Sequence, residues 1–301
     1  MIVSPLILAV LLSSPAAAPD GQSSGRVIGA RTQSDQTVQV PKGTRVDVDD
    51  CAGDLIVRVW DRDAVRVQAR HTSRTRVRAA LSGTVMRIGI DADYGLGSAD
   101  LELSVPAWIS LRINGRDCYA DVSGVSGAVT VDTVEGDIAL AGLTGTVEAK
   151  SVEGKITLDG GRGRVQLSTV DGEIAVTKAA GEIVAESVDG SISLTDVQAS
   201  AVELSTVDGN MLFTGALQTS GRYLFTTHDG DITIMVPETS SATFSVRGDS
   251  RVEPSMPLKR AGTSRRGQRA SYTLGGGAAQ VDIETFDGIV RIRRLGDAGK
   301  D

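Results

Sequence analysis

Six carboxylates recur at a spacing of about eighteen residues: Glu135, Glu153, Asp171, Asp189, Asp208 and Asp229. Carboxylate oxygens at a fixed pitch are the donor type that calcium takes, which makes this column the leading metal candidate in the chain. The period matches that of nonapeptide calcium β-rolls, but their Gly-Gly-x-Gly-x-Asp signature is absent. The same acids also read as turn residues on a solvated edge, their mutual repulsion screened by salt. Calcium therefore stays open as a ligand, and no other cofactor is implied. Catalysis has less support. His71 and His228 lack metal-ligand spacing, and the serines lie in strand and turn patterns without the strand-to-helix elbow of a hydrolase nucleophile. The glycine-rich turns lack a P-loop lysine and a following helix. No catalytic residue is assigned. A carbohydrate-active enzyme on a β-helix would need a compact cluster of carboxylates with Arg or Lys, and here the acids are spread along the repeat.

The element that must position these acids is a nine-residue unit that runs eight times from Val125 to Asp196. Every second unit begins with Val-Asp/Glu-Gly, as in Val134-Glu135-Gly136 and Val152-Glu153-Gly154. The theme loosens into Val207-Asp208-Gly209 and His228-Asp229-Gly230 and returns as Phe286-Asp287-Gly288. After each glycine come alternating apolar residues, from Ile138/Leu140 and Ile156/Leu158 to Ile232/Ile234 and Val290/Ile292. Before it come Val129/Val131, Val147/Ala149, Val165/Leu167, Ile183/Ala185, Val202/Leu204, Tyr223/Phe225 and Val281/Ile283. Both sets show the period of a strand with one buried face. They are out of phase by one residue, so the chain must turn between them. The turn falls at Gly136, Gly154, Gly172, Gly190, Gly209, Gly230 and Gly288, which are expected to hold positive φ. Thr133, Ser151, Thr169, Ser187, Thr206, Thr227 and Thr285 fill one corner position, where stacked hydroxyls are expected to bond to one another or to corner amides.

A fixed period of this size marks a solenoid. The expected fold is all-β, a parallel β-solenoid with coils of about eighteen residues and two strands each. The alternative, an antiparallel β-sandwich of hairpins, explains the alternation but not why alternate turns share the same residues. Abundant glycine and only 3% aromatics suit a narrow interior of Val, Ile, Leu and Ala.

Organisation along the chain follows. Residues 1–18 read as a signal peptide, with the apolar run Pro5 to Leu12 and Ala16-x-Ala18 as cleavage site. No later segment is apolar enough to cross a membrane. Residues 19–36 form a flexible leader, with ordered structure from Thr37, and 37–120 the N-terminal β part. Residues 121–236 are the regular solenoid, 237–280 an irregular excursion, 281–294 the final coil and 295–301 a frayed tail. Export would place the protein in the periplasm or at the cell surface, an oxidising setting in which Cys51 and Cys118 are either bridged or two buried thiols. Both are read into the column that Val holds in Val-Asp-Gly.

Charge divides the chain. Residues 54–90 carry eight arginines against three aspartates, 121–236 are strongly acidic, and Arg265, Arg266, Arg269, Arg291, Arg293 and Arg294 return basic character. The net charge of −7 gives no case for nucleic-acid binding. Basic ends could take anionic envelope polymers or self-associate, or they are solvated edge charges that block aggregation.

The repeated Ser/Thr-Val-Asp/Glu-Gly-x-Ile-x-Leu unit is accompanied by Gly53-Asp-Leu-Ile-Val-Arg-Val-Trp-Asp61, Val105-Pro-Ala-Trp108 and Gly275-Gly-Gly…Thr285-Phe-Asp-Gly288. In that order, over roughly residues 40–294, these motifs resemble the bacterial extracytoplasmic putative-adhesin family, a domain of unknown function. The resemblance implies a β-solenoid outside the cytoplasm and brings no reaction and no catalytic residues. The expectation is a non-catalytic structural or adhesion module at the cell envelope, its partner an envelope protein or polymer.

Overall fold

A computed structural model describes residues 31–93, 97–248, 250–263 and 269–297. The signal region and most of the basic run from Arg265 lie outside the described residues. The fold is all-β, with twenty-two strands and no helix among the described residues.

The regular part is a parallel solenoid whose two inward columns stack like on like. One column runs Val129, Val147, Val165, Ile183, Val202, Tyr223 and Val281, each the parallel partner of the next. The other runs Ile138, Ile156, Ile174, Ile192, Met211, Ile232 and Val290. The hairpins of a sandwich would pair these strands antiparallel, so that alternative fails for this region. All members of both columns are at most 3% exposed, and each fully buried side chain contributes roughly 1.5–3 kcal/mol. A slip of one residue would turn every one of them outward, so register is strongly specified.

Coils that exceed eighteen residues keep this register by placing the surplus away from the Val-Asp-Gly corner. Asp196, at φ 55°, and Ser200 are both extra residues opposite shorter neighbouring strands. The next coil adds a turn closed by Gly221 N–H donating to Gln218 O. Aromatic side chains occupy the interior there. Phe213 meets Tyr223 and Phe225 edge to face, with ring centroids 5.6 and 5.8 Å apart. The buried Tyr223 hydroxyl donates to Ala199 O at 2.7 Å and accepts from Gln218 N–H at 2.9 Å.

At both ends the chain doubles back across its own coil. Strand Arg45–Trp60 lies between Ser110–Ser123 on one side and Val85–Ala92 with Ala99–Pro106 on the other, all parallel. Strand Ala279–Asp287 is inserted between Arg222–Asp229 and Ala242–Arg247. Strand Ile289–Arg294 is inserted between Ile232–Val236 and Arg251–Pro254. Phe286-Asp287-Gly288, far downstream in sequence, is thus the next step after His228-Asp229-Gly230. Antiparallel strands close the ends, as a solenoid with an apolar interior requires. Thr75–Ser82 pairs with Val85–Ala92, and Ala64–Thr72 with Ala99–Pro106. At the other end Arg269–Leu274 pairs with Ala242–Arg247, and Lys259–Thr263 lies beyond it.

Two expectations need correction. The first strand, Arg31–Gln39, begins before Thr37 and pairs antiparallel with Ala64–Thr72, so the last part of the leader expected over 19–36 is strand. The stretch 237–280, expected as an irregular excursion with one or two strands, Thr243–Val246 among them, contains that strand within Ala242–Arg247 but is more regular than expected. It supplies four strands that extend and cap the solenoid, because Pro237 and Pro254 interrupt individual strands without breaking the inward alternation of Ala242, Phe244 and Val246.

Candidate functional site

The Ser/Thr-Val-Asp/Glu-Gly corner is where the repeat places its side-chain chemistry. Each position has a distinct environment. The hydroxyl column points inward and is buried, from Thr285 at 0% to Ser187 at 7% exposure. Its hydroxyls bond neither to one another nor to corner amides, contrary to the reading of the sequence. All but Ser151, whose Oγ has no partner, donate to corner carbonyls: Thr133 to Glu135 O at 2.7 Å, Thr227 to Asp229 O at 3.1 Å and Thr206 to Gly190 O at 3.3 Å. The physical reason is that the corner amides are already used. The acid's N–H donates to the Val carbonyl of the preceding coil, as in Glu153 to Val134 at 2.7 Å and Asp171 to Val152 at 2.8 Å. The glycine N–H donates to the acid's carbonyl in the following coil, as in Gly190 to Asp208 and Gly209 to Asp229, both 3.0 Å.

The glycines are needed for a different reason from the one expected. Positive φ occurs at Gly136 (111°), Gly154 (151°), Gly230 (144°) and Gly288 (149°), but Gly172, Gly190 and Gly209 do not share it. What the column has in common is close approach. A Cβ on Gly172 would overlap the Gly154 carbonyl oxygen, and Gly154 stands in the same relation to Gly136, Gly190 to Gly172, Gly209 to Gly190, Gly230 to Gly209 and Gly288 to Gly230. Glycine is therefore the residue that lets successive corners stack at strand spacing.

The six carboxylates Glu135, Glu153, Asp171, Asp189, Asp208 and Asp229 form a continuous ladder of parallel bridges, with Asp117 above Glu135. All six are exposed. Among the described residues no three His, Cys, Asp or Glu side chains converge in a way that could hold a metal ion. The acids stack side by side, one per coil, instead of closing round a point. Beside them runs a column the sequence reading had not assigned: Val134, Val152, Val170, Val188, Val207, His228 and Phe286. The five valines are 42–51% exposed and Phe286 is 61% exposed. The His228 ring lies 5.1 Å from that of Phe286, and His71 is elsewhere, its Nδ1 2.8 Å from Thr72 O. The signal for this column was present in the phase. Val134 follows an inward Thr133, so it must point out.

Cys51 and Cys118 are joined by a disulfide, with Cα atoms 5.5 Å apart. Their columns differ from the expected ones. Cys51 faces Gly115, which holds the hydroxyl position of its coil, and Cys118 faces Gly53 in the glycine position. Irregular pairing between Val48 and Ala52 shifts Cys51 by one place. The bridge occupies the space that a corner hydroxyl takes elsewhere. A Cβ on Gly115 would come within 2.5 Å of Cys118 Cβ, which is why that coil has glycine where its successors have Ser or Thr.

The arginines of the two ends are largely paired. Arg58 reaches Asp121 and Arg66 reaches Asp35, both at 2.5 Å, and Arg78 reaches Asp91 at 3.1 Å. Hydrogen bonds from Arg66 hold the Asp35 carboxyl below its usual range, and those to Asp121 raise Arg58. At the far end Arg291 contacts Asp231 at 2.6 Å. Burial works to raise the Asp231 pKa, but the Arg291 guanidinium and the Ile289 N–H outweigh it and leave the carboxyl below its ordinary value.

No curated protein matches the chain. Among solved structures, a putative adhesin from Parabacteroides distasonis is 10% identical, with a TM-score of 0.38 over 88% of this chain and 98% of its own. A putative adhesin from Bacteroides fragilis is 12% identical, with a TM-score of 0.35 over 87% and 97%. A putative cell adhesion protein from Clostridium sporogenes is 9% identical, with a TM-score of 0.21 over 88% and 100%. Residues 162–293 match the family described as Toastrack DUF4097, within the stretch that the repeat motifs had marked. Over residues 162–293 the chain is thus similar to the Toastrack DUF4097 family, a family of domains of unknown function.

Proposed function

We propose that the protein is a non-catalytic β-solenoid that acts as a structural or adhesion module at the cell envelope, in the periplasm or on the cell surface. The observation that carries this reading is the uniformity of the shaft. Its polar corner groups repeat coil after coil as a ladder, a surface suited to an extended partner; an enzyme would need one concentrated site. The Cys51–Cys118 bridge supports an oxidising compartment. Partner identity follows from in-cell crosslinking of the tagged protein and identification of what is recovered with it. A specific envelope protein or polymer is the expected result. Recovery of its own copies alone would replace envelope binding with self-assembly, and a turnover activity in purified protein would overturn the reading.

A further inference from the structure

The exposed column Val134, Val152, Val170, Val188, Val207, His228 and Phe286 is unusual for a soluble surface. Single exposed apolar residues are ordinary, but here they are contiguous. At roughly 4.8 Å per coil the column runs for roughly 29 Å, and contiguous exposed apolar surface is what marks interaction sites. The fold does not require apolar residues there. Arg116 lies one coil before Val134 and His228 lies within the column, and the corner keeps its hydrogen-bond register at both.

The ridge has a definite electrostatic neighbour. Glu135, Glu153, Asp171, Asp189, Asp208, Asp229 and Asp287 run beside it, and among the described residues none of them makes an ion pair. The two lysines flanking this edge are already engaged, Lys150 with Glu148 at 2.6 Å and Lys155 with Glu173 at 2.9 Å. The acid and glycine N–H groups of the corner donate within the stack, which leaves a partner little to pair with by adding a strand to this edge. It must bind through side chains, against parallel rows of apolar and negative groups.

We propose that this ridge is a docking surface for a protein segment that presents both basic and apolar side chains, such as an extended cationic segment of an envelope protein. The proposal rests on the binding-module reading and names the face and the partner chemistry. Apolar contact with the valine row excludes water from the neighbouring acids, which strengthens their attraction for a basic partner.

The test uses the full chain and a synthetic peptide of roughly nine residues alternating Lys and Val, long enough at strand rise to follow the ridge. A Lys/Ser peptide of equal charge and a Glu/Val peptide are the controls. Two triple variants remove one row each: Val152→Thr with Val170→Thr and Val188→Thr, which keeps β-branching, and Glu153→Gln with Asp171→Asn and Asp189→Asn. The Lys/Val peptide is expected to bind about tenfold more tightly than either control, to weaken with salt, and to lose about tenfold with either variant. Equal binding of the Lys/Val and Lys/Ser peptides, or unchanged binding by the variants, would overturn the proposal. If the threonine variant fails to fold, the amide variant decides alone. Crosslinking in cells separates the two levels. Envelope partners retained by both variants would leave the module reading intact and remove the ridge from it, whereas recovery of only self copies by the wild type would overturn the ridge proposal together with envelope binding and leave a self-assembling structural element.

Discussion

Replacing Cys51 and Cys118 with alanine tests how the N-terminal coil is attached. The bridge closes a loop across a sequence separation of 67 residues. On the chain-entropy account, a loop of that length contributes about 4 kcal/mol by restricting the unfolded chain. At an unfolding entropy of about 2.1 cal/mol/K per residue, each kcal/mol moves the melting temperature of a chain this long by a little under about 2 °C, so the double variant should melt about 7 °C lower. The effect should also be local. A solenoid's stability is a sum of coil and neighbour terms, and the bridge joins strand Arg45–Trp60 to Ser110–Ser123. Amide exchange should therefore quicken in Arg45–Trp60 and its outer neighbours, Val85–Ala92 and Ala99–Pro106, before it changes in Ile192–Ser205. Calorimetry and hydrogen exchange measure the two effects, and reductant added to the wild type should reproduce them. A shift below about 2 °C, less than the entropy account allows for any loop of this length, would refute the reasoning, as would exchange that quickens uniformly along the shaft.

Other substitutions probe the corner and the core. Gly172→Ala should lower stability by about 1–3 kcal/mol, because its methyl meets the Gly154 carbonyl oxygen and the coils must part to admit it; an unchanged melting temperature would remove the close-approach argument. Tyr223→Phe should cost about 1–3 kcal/mol in a denaturant titration, since it leaves Ala199 O without its donor and Gln218 N–H without its acceptor. The folded-state pKa of Asp231 is depressed, so its pairing with Arg291 stabilises the protein above the ordinary carboxylate pKa of 3.8 and is lost as pH falls through the lower folded value. Asp231→Asn should accordingly remove part of the acid-limb loss of stability, and an identical acid limb would count against the pairing. Added calcium should leave the melting temperature of chelator-treated protein unchanged; a saturable rise would assign the Glu135–Asp229 column to cation binding.

Reading the corner from sequence alone succeeded where the physics is local and periodic. Inward alternation at Ile156/Leu158 and Val165/Leu167 identifies strands because side chains of a strand alternate between faces. The recurrence of Val-Asp/Glu-Gly every second unit identifies parallel stacking, since only equivalent turns in equivalent coils need the same residues. That much determined an all-β solenoid and the identity of its corner residues.

What pattern alone did not reveal depended on contacts between residues distant in the chain. Gly172 is required by the carbonyl of the preceding coil, a neighbour that no local φ preference reports. Gly115 is small because the Cys51–Cys118 bridge fills its corner. The place of Phe286-Asp287-Gly288 next to His228-Asp229-Gly230 was decided by insertion of the final coil between two others, and linear order carries no trace of that reversal. The exposed valine row is the middle case. Its outward phase was written in the repeat, but its union with an unpaired acidic row into one ridge exists only once the coils stack, because only stacking brings residues eighteen positions apart to strand spacing.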